Sequence, residues 1–239
     1  MLPQHFYFTG TGWLGYIVYI PIGLAVLVTM YLLLLRKISS ISVRMFSLVS
    51  IAVFLMTWPL WGALTLSYEA ENLCKEQGGL HVYKTAVTDG FVGLANIKTW
   101  SKYGFTYIEW GENNKKYRYT IKNNEVNRKE IPDFTGRYFS GGGKHEKITN
   151  HFARIRDYVK DRQSGEVLGE LVIITIDPSW FDRAALNLLP VEYNPWICGN
   201  EAPKGKGEYV PWEKKYVYGS SDLIKSTLKP LMAPDGETR

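Results

Sequence analysis

The residues best equipped for chemistry lie between positions 141 and 182. His145 and His151 flank Glu146 in the run His145-Glu146-Lys147-Ile148-Thr149-Asn150-His151. A zinc-protease helix places its second histidine four residues after the first, so that both rings share one face. Thr149 holds that position, and no ligand geometry follows. Just upstream, Gly141-Gly142-Gly143-Lys144-His145 has the glycine and lysine of a phosphate cradle. That motif needs its first glycine where Tyr138 stands and a Ser or Thr after Lys144, so the run reads as a flexible loop.

Two carboxylate pairs, Asp157 with Asp161 and Asp177 with Asp182, have the residue types of a glycosidase. A strand position and a helix start assign them instead to solvation and capping. No Gly-x-Ser-x-Gly elbow occurs, and four histidines give no assignable Ser-His-Asp arrangement. No catalytic residue, metal site or cofactor is therefore assigned. An alternative reading, an enzyme acting on envelope lipid or glycan, rests on Asp157, His145 and His151 with the 16 Tyr and 8 Trp around them. Such aromatic content equally suits a β core, a membrane belt or a glycan or peptide surface.

The elements that carry these groups are set by the first third of the chain. Two apolar runs, Trp13 to Leu35 and Met45 to Tyr68, each hold more than twenty residues without an Asp, Glu, Lys or Arg. At about 1.5 Å rise per residue, each is enough to cross a hydrocarbon core of roughly 30 Å. The joining segment 36–44 contains Arg36, Lys37 and Arg44, whereas Met1 to Gly12 has no Lys or Arg and the flank after Tyr68 opens with Glu69 and Glu71. Cationic loops stay cytoplasmic, so these three residues are the topology signal and both termini are expected on the periplasmic side. Trp13, Tyr16 and Tyr19 open the first run while Trp58, Trp61 and Tyr68 close the second, two aromatic belts on one side of the membrane.

A cleaved signal peptide would show a basic start, a shorter apolar stretch and small residues at the cleavage point, and none of these is present. Cys74 follows Glu71-Asn72-Leu73 rather than the small residues of a lipidation site. Pro21 and Pro59 lie inside the runs, where kinks are tolerated in membranes. A transporter is disfavoured because neither run carries an ionisable group of the kind that marks an ion path.

Of 28 basic and 23 acidic residues, setting aside the three in the loop leaves 25 against 23. The alkaline isoelectric point is thus mostly a topology signal, and nucleic acid is not an expected partner. Cys74 and Cys198, one at each end of the exterior part, are expected to form a single disulfide in an oxidising compartment; the alternative is a pair of thiols in a reducing one. Neither has a ligand partner at metal spacing.

The second run is expected to continue as helix to Gln77 and to end at Gly78-Gly79. Strands are expected over Leu80 to Val87, Phe105 to Trp110 and, after a Gly111-Glu112-Asn113-Asn114 turn, Tyr117 to Ile121. A hairpin should pair Phe152 to Val159 with Val167 to Ile176 around Asp161 to Glu166. Short helices are expected at Pro178 to Leu189, with Asp177 as N-cap and Pro190 as stop, and from Ser221, with Asp222, Leu223, Ile224 and Leu228 on one face. Tyr216-Val217-Tyr218 is strand-like within an otherwise loosely packed tail.

The run Cys74-Lys75-Glu76-Gln77-Gly78-Gly79-Leu80-His81-Val82-Tyr83 resembles a Cys-x3-Gly-Gly-x3-Tyr pattern that follows a membrane span in small uncharacterised inner-membrane proteins of proteobacteria and their mobile elements. The resemblance implies an inner-membrane location with a periplasmic domain and brings no activity with it.

The expected molecule is a membrane-anchored α+β protein: an extracytoplasmic tail (1–12), a transmembrane helical hairpin (13–68), one β-rich extracytoplasmic domain (69–202) and a C-terminal arm (203–239). Its expected role is non-enzymatic. A disulfide-stapled periplasmic domain binds another envelope protein or a second copy of the chain, as an accessory subunit or an exclusion or immunity factor would, with membrane lipids as the other partner.

Overall fold

The computed structural model describes residues 5–93, 96–143, 145–188, 195–203, 206, 208–210 and 215–231. The first helix, α1 (Gly10–Leu33), is started by Thr9, whose extended backbone leaves its hydroxyl free to accept from the Gly12 N–H at 2.7 Å. A 3₁₀ turn (Leu35–Lys37) leads to α2 (Ile41–Gln77). Both helices are long and apolar enough to cross a membrane. Arg36 and Lys37 lie in the turn, and Arg44 folds back on it by donating from Nη2 to the Ile38 carbonyl at 2.6 Å. The end of α2 at Gln77 matches the expectation, and Gly79, with φ +125°, supplies the conformation that stops it.

Thereafter the chain is mostly β. The strands are β1 (Gly79–Val82), β2 (Ala86–Thr88), β3 (Gly90–Val92), β4 (Tyr107–Glu112), β5 (Lys115–Lys122), β6 (Glu125–Ile131), β7 (Tyr138–Gly142) and β8 (Glu146–Lys147), with a short helix α3 (Ile97–Ser101) before β4. A long hairpin, β9 (Phe152–Asp161) and β10 (Val167–Ile176), precedes α4 (Trp180–Leu188). Then come β11 (Trp196–Cys198), β12 (Glu201–Ala202), β13 (Glu208–Val210), β14 (Lys215–Val217), α5 (Ser220–Thr227) and β15 (Leu228–Pro230). Among the described residues ten strands form one mixed sheet, ordered β1-β10-β9-β7-β3-β4-β5-β6, with β11 on β10 and β8 on β9. Strand β3 runs parallel to β4 and β7; the β4, β5, β6 ribbon is antiparallel.

Several expectations need correction. Leu80 to Val87 is two strands, because the Tyr83 and Lys84 N–H groups both turn onto the Leu168 carbonyl and β2 pairs instead with β15. Only Asn113 and Asn114 form the turn before β5, while Gly111 and Glu112 stay in β4. Gly141 and Gly142 are not a loop: they belong to β7, paired with Tyr158 and Asp157 of β9. Leu228 leaves α5 to begin β15. Helix α4 opens at Trp180, with the Ser179 carbonyl accepting from Arg183 N, while the Asp177 N–H is held by His151 and the residue lies outside the helix. Pro190, the expected stop, and Lys144 lie outside the described residues.

The chain divides into two compact units. One comprises Met1–Glu76, Ile148–Ala153 and Thr175–Ile197; the other comprises Gln77–Lys147, Arg154–Ile174 and Cys198–Arg239. Cys74 and Cys198 are joined in a disulfide. In the second unit, Phe91, Trp100 and Phe105 meet edge to face with ring centres 5.4 to 5.6 Å apart. Ile108, Val159, Leu168 and Leu171 complete that core, together with Leu223, Ile224 and Leu228 from the C-terminal stretch.

One carboxylate is built into this unit. Glu109 on β4 is fully buried and accepts from Arg118 Nε (2.9 Å) and Nη2 (2.6 Å), Thr135 N (2.7 Å), Thr135 Oγ1 (2.8 Å) and Gly136 N (2.9 Å). Burial pushes its pKa up, but hydrogen bonds from Gly136, Arg118 and Thr135 together outweigh this and hold it below the ordinary 4.5. A depressed carboxylate stabilises the fold above its unfolded pKa, and that contribution is lost as pH falls through the folded one. Glu109→Gln is expected to cost about 2 kcal/mol at pH 7, since Arg118 is only partly buried and solvent screens the pair. The gap to wild type should begin to narrow as pH falls below about 4.5. Urea unfolding at pH 7 and pH 4 measures both.

Candidate functional site

The outer part of β9 presents Arg154, Arg156 and Tyr158 at alternate positions, and so on one face of the sheet. This face forms an open cleft of about 450 Å³, lined by Gly143, His145, Glu146, Arg156, Tyr158, Val167 and Glu170. Arg156 stands between two carboxylates, 3.8 Å from Glu146 and 3.8 Å from Glu170. Those separations leave electrostatic attraction without a hydrogen bond. Each carboxylate is gripped more closely from its far side. Arg154 reaches Glu146 at 2.7 Å, and Tyr83 donates to Glu170 at 2.6 Å. Arg154 also donates to Gln77 at 3.1 Å. The Arg154 guanidinium accordingly lowers the Glu146 pKa, and the bond to Glu170 raises that of Tyr83.

Arg156 is thereby left with donors to spare. Its Nε is enclosed and has no acceptor among the described residues. The Nη1 and Nη2 donors, which approach the two carboxylates only to 3.8 Å on a partly exposed side chain, are the ones that a carbonyl or carboxylate brought into the cleft could engage. The arrangement can present a guanidinium to an oxygen acceptor beside the Tyr158 ring.

Of the residues singled out in sequence, His145 and Glu146 line this cleft and His151 does not. His151 belongs to the other unit, with Nδ1 3.1 Å from the Pro178 carbonyl. Asp157 faces away from Arg156 along β9 and accepts from the Ser220 hydroxyl. Asp161, also assigned to solvation, is buried and paired with Arg137 at 2.7 Å, which lowers its pKa. Sequence reasoning missed Arg156, Glu170 and Tyr83. The alternation Arg154, Arg156, Tyr158 in a strand that was otherwise recognised was the available signal.

In the first unit the expected N-terminal carboxylates play other parts. Asp182 is fully buried and accepts from the Thr9 hydroxyl at 2.6 Å and the Thr9 N–H at 3.1 Å, while burial pushes its pKa up. A Cβ at Gly12 would fall 2.0 Å from its carboxylate oxygen, and one at Gly15 would fall 2.9 Å from Ala185, so both positions must be bare for α4 to dock on α1. Phe181 lies in an aromatic nest, stacked on Phe8 and set against Tyr16 and Tyr19.

The two long helices are tied at a proline. Pro59 has no N–H, so the carbonyl four residues back, Leu55, loses its helical donor. The Tyr19 hydroxyl of α1 supplies one at 2.8 Å, and the Tyr16 hydroxyl reaches the adjacent Met56 carbonyl at 3.2 Å. Tyr19→Phe is expected to destabilise the helical pair by about 1 kcal/mol, the size of an interhelical hydrogen bond in an apolar setting. Pro59→Ala should offset most of that loss when combined with it. A double-mutant cycle on thermal unfolding in detergent reads the coupling.

No family model, no curated protein and no solved structure matches this chain.

Proposed function

We propose that this chain is a non-enzymatic inner-membrane protein, anchored by α1 and α2, whose periplasmic domain binds a second envelope protein through the Arg156 cleft. The observation that carries the reading is the partly exposed guanidinium of Arg156, whose Nη1 and Nη2 are held 3.8 Å from two glutamates without a hydrogen bond to either. Such a group is pre-oriented for a carbonyl or carboxylate on a partner, and arginines of this kind are frequent anchors at protein interfaces. Three features support the address. Two helices have the length and hydropathy of spans. The cations Arg36, Lys37 and Arg44 gather at their connection, which favours a cytoplasmic turn and periplasmic termini. The Cys74–Cys198 disulfide fits an oxidising compartment. An accessory subunit or an exclusion or immunity factor has this form, and a second copy of the chain is the other candidate partner.

A second reading, an envelope enzyme acting on lipid or glycan, is favoured by one observation: His145 and Glu146 share the cleft with Arg156. The two readings part on variants of the intact protein purified from its native membrane in mild detergent, with retained proteins identified by mass spectrometry. A stoichiometric partner is expected with wild type, and Arg156→Ala should weaken its capture by about tenfold or more, as truncation of an interface anchor does. Gln163→Ala, exposed and outside the cleft lining, should leave capture unchanged. A clean monomer with no retained protein, or capture indifferent to Arg156→Ala, would overturn the proposal. Loss of the cellular phenotype in His145→Ala with capture intact would favour the enzyme.

A further inference from the structure

We infer that α4 is seated in the outer headgroup region of the bilayer, a third lipid-contacting segment beside α1 and α2. The inference rests on the reading that those two helices span the membrane.

The argument starts from where α4 touches them. Its Phe181 ring meets Tyr16 and Tyr19, with centres 5.1 and 5.4 Å apart, and its Ala185 faces Gly15. Its Trp180 ring lies over Gly62 of α2. Tyr19 is six residues in from Trp13, and Gly62 is six residues in from Tyr68. At 1.5 Å rise per residue both contacts lie about 9 Å inside the ends of the apolar runs. The interfacial zone outside the hydrocarbon core is only about 5 to 8 Å deep on each side. A helix fixed at those points cannot stand clear of the headgroups.

The residues that α4 leaves uncovered agree with that depth. Leu188 is 72% exposed and Trp180 48% exposed, and the rings of Trp13 on α1 and Trp61 on α2 are exposed as well. Indole rings favour the headgroup level because one edge is apolar and the other carries an N–H donor. Its one acidic side chain, Asp182, is turned inward and accepts from Thr9, while the exposed face also carries Arg183 and Asn187. A helix that exposes Trp180 and Leu188 beside one cationic side chain matches an interfacial lipid surface, where apolar groups enter the acyl boundary and a cation stays at headgroup level.

Spin labels placed in the full chain in liposomes test this. The native cysteines are paired, so a single new cysteine takes the label. Leu188→Cys and Trp180→Cys are compared with Val28→Cys, in the apolar run of α1, and Gln163→Cys, in the exposed β9–β10 turn. Collision with oxygen, which concentrates in lipid, is measured against collision with a water-soluble nickel chelate. The expected result is an oxygen-to-nickel ratio at Leu188 several-fold above that at Gln163 and below that at Val28, with Trp180 following Leu188. A ratio at Leu188 equal to that at Gln163, with Val28 remaining oxygen-rich, would overturn this inference alone. Low collision with both reagents at Leu188 would also overturn it, because protein rather than lipid would then cover the helix. A nickel-accessible Val28 would sink the spanning reading itself. Because Leu188 is so exposed, its variant should fold even if Trp180→Cys disturbs the contact with Gly62.

Discussion

A carbonyl that loses its helical donor in an apolar setting must be given another, and the first unit is organised around that requirement. Pro59 strips the donor from Leu55, and the Tyr19 hydroxyl replaces it. The same tyrosine lays its ring edge-on to Phe181, so the residue that compensates the proline also fixes the docking of α4. Thr9 does the matching task at the start of α1, where its hydroxyl accepts from Gly12 and donates to Asp182. Two hydroxyl groups, each bonded on one helix and tied to the next, therefore hold the seam among α1, α2 and α4, and the bare faces of Gly12 and Gly15 permit the approach.

The second unit shows two outcomes of burying charge. At Glu109 every lone pair has a donor, and a fully buried carboxylate becomes a rigid bracket between β4, Arg118 and the turn at Thr135 and Gly136. At Arg156 the accounting is left open: two glutamates attract the guanidinium without closing on it, because Arg154 and Tyr83 draw them the other way. The contrast distinguishes a charge fully bonded within the fold from one whose attractions stop short of hydrogen bonds. It is a contrast of distances, 2.6 to 2.9 Å against 3.8 Å, and not of residue types.

Much of the local structure was legible in the sequence. Periodicity and charge placed both long helices, the stop at Gly79 and the β9–β10 hairpin, and cysteine count pointed to the disulfide. What escaped was set by partners distant in sequence. The turn at Asn123 and Asn124 repeats that at Asn113 and Asn114, all four residues at positive φ, yet only the first was read, because the charged strand Glu125–Ile131 carries no apolar alternation. The glycines of β7 looked like a loop because nothing local reveals that Tyr158 and Asp157 pair with them. Of the cleft, His145 and Glu146 stood out as a failed zinc motif. Glu170 and Tyr83 could not, since their roles arise only when β1, β9 and β10 come side by side.

The two units are interleaved along the chain, which passes between them at Glu76, Lys147, Ala153, Ile174 and Ile197. They are not beads on a string, and no single cut in the gene separates them. A fragment beginning at Gln77 would keep Ile148–Ala153 and Thr175–Ile197 while discarding the helices they belong with, so Phe181 would lose its tyrosine nest and Asp182 its only described hydrogen-bond donors. The pair of long helices is thus part of a folded body rather than a detachable leash. Recombination that exchanged the two long helices between proteins would have to carry Ile148–Ala153 and the stretch from Thr175 through α4 along with them.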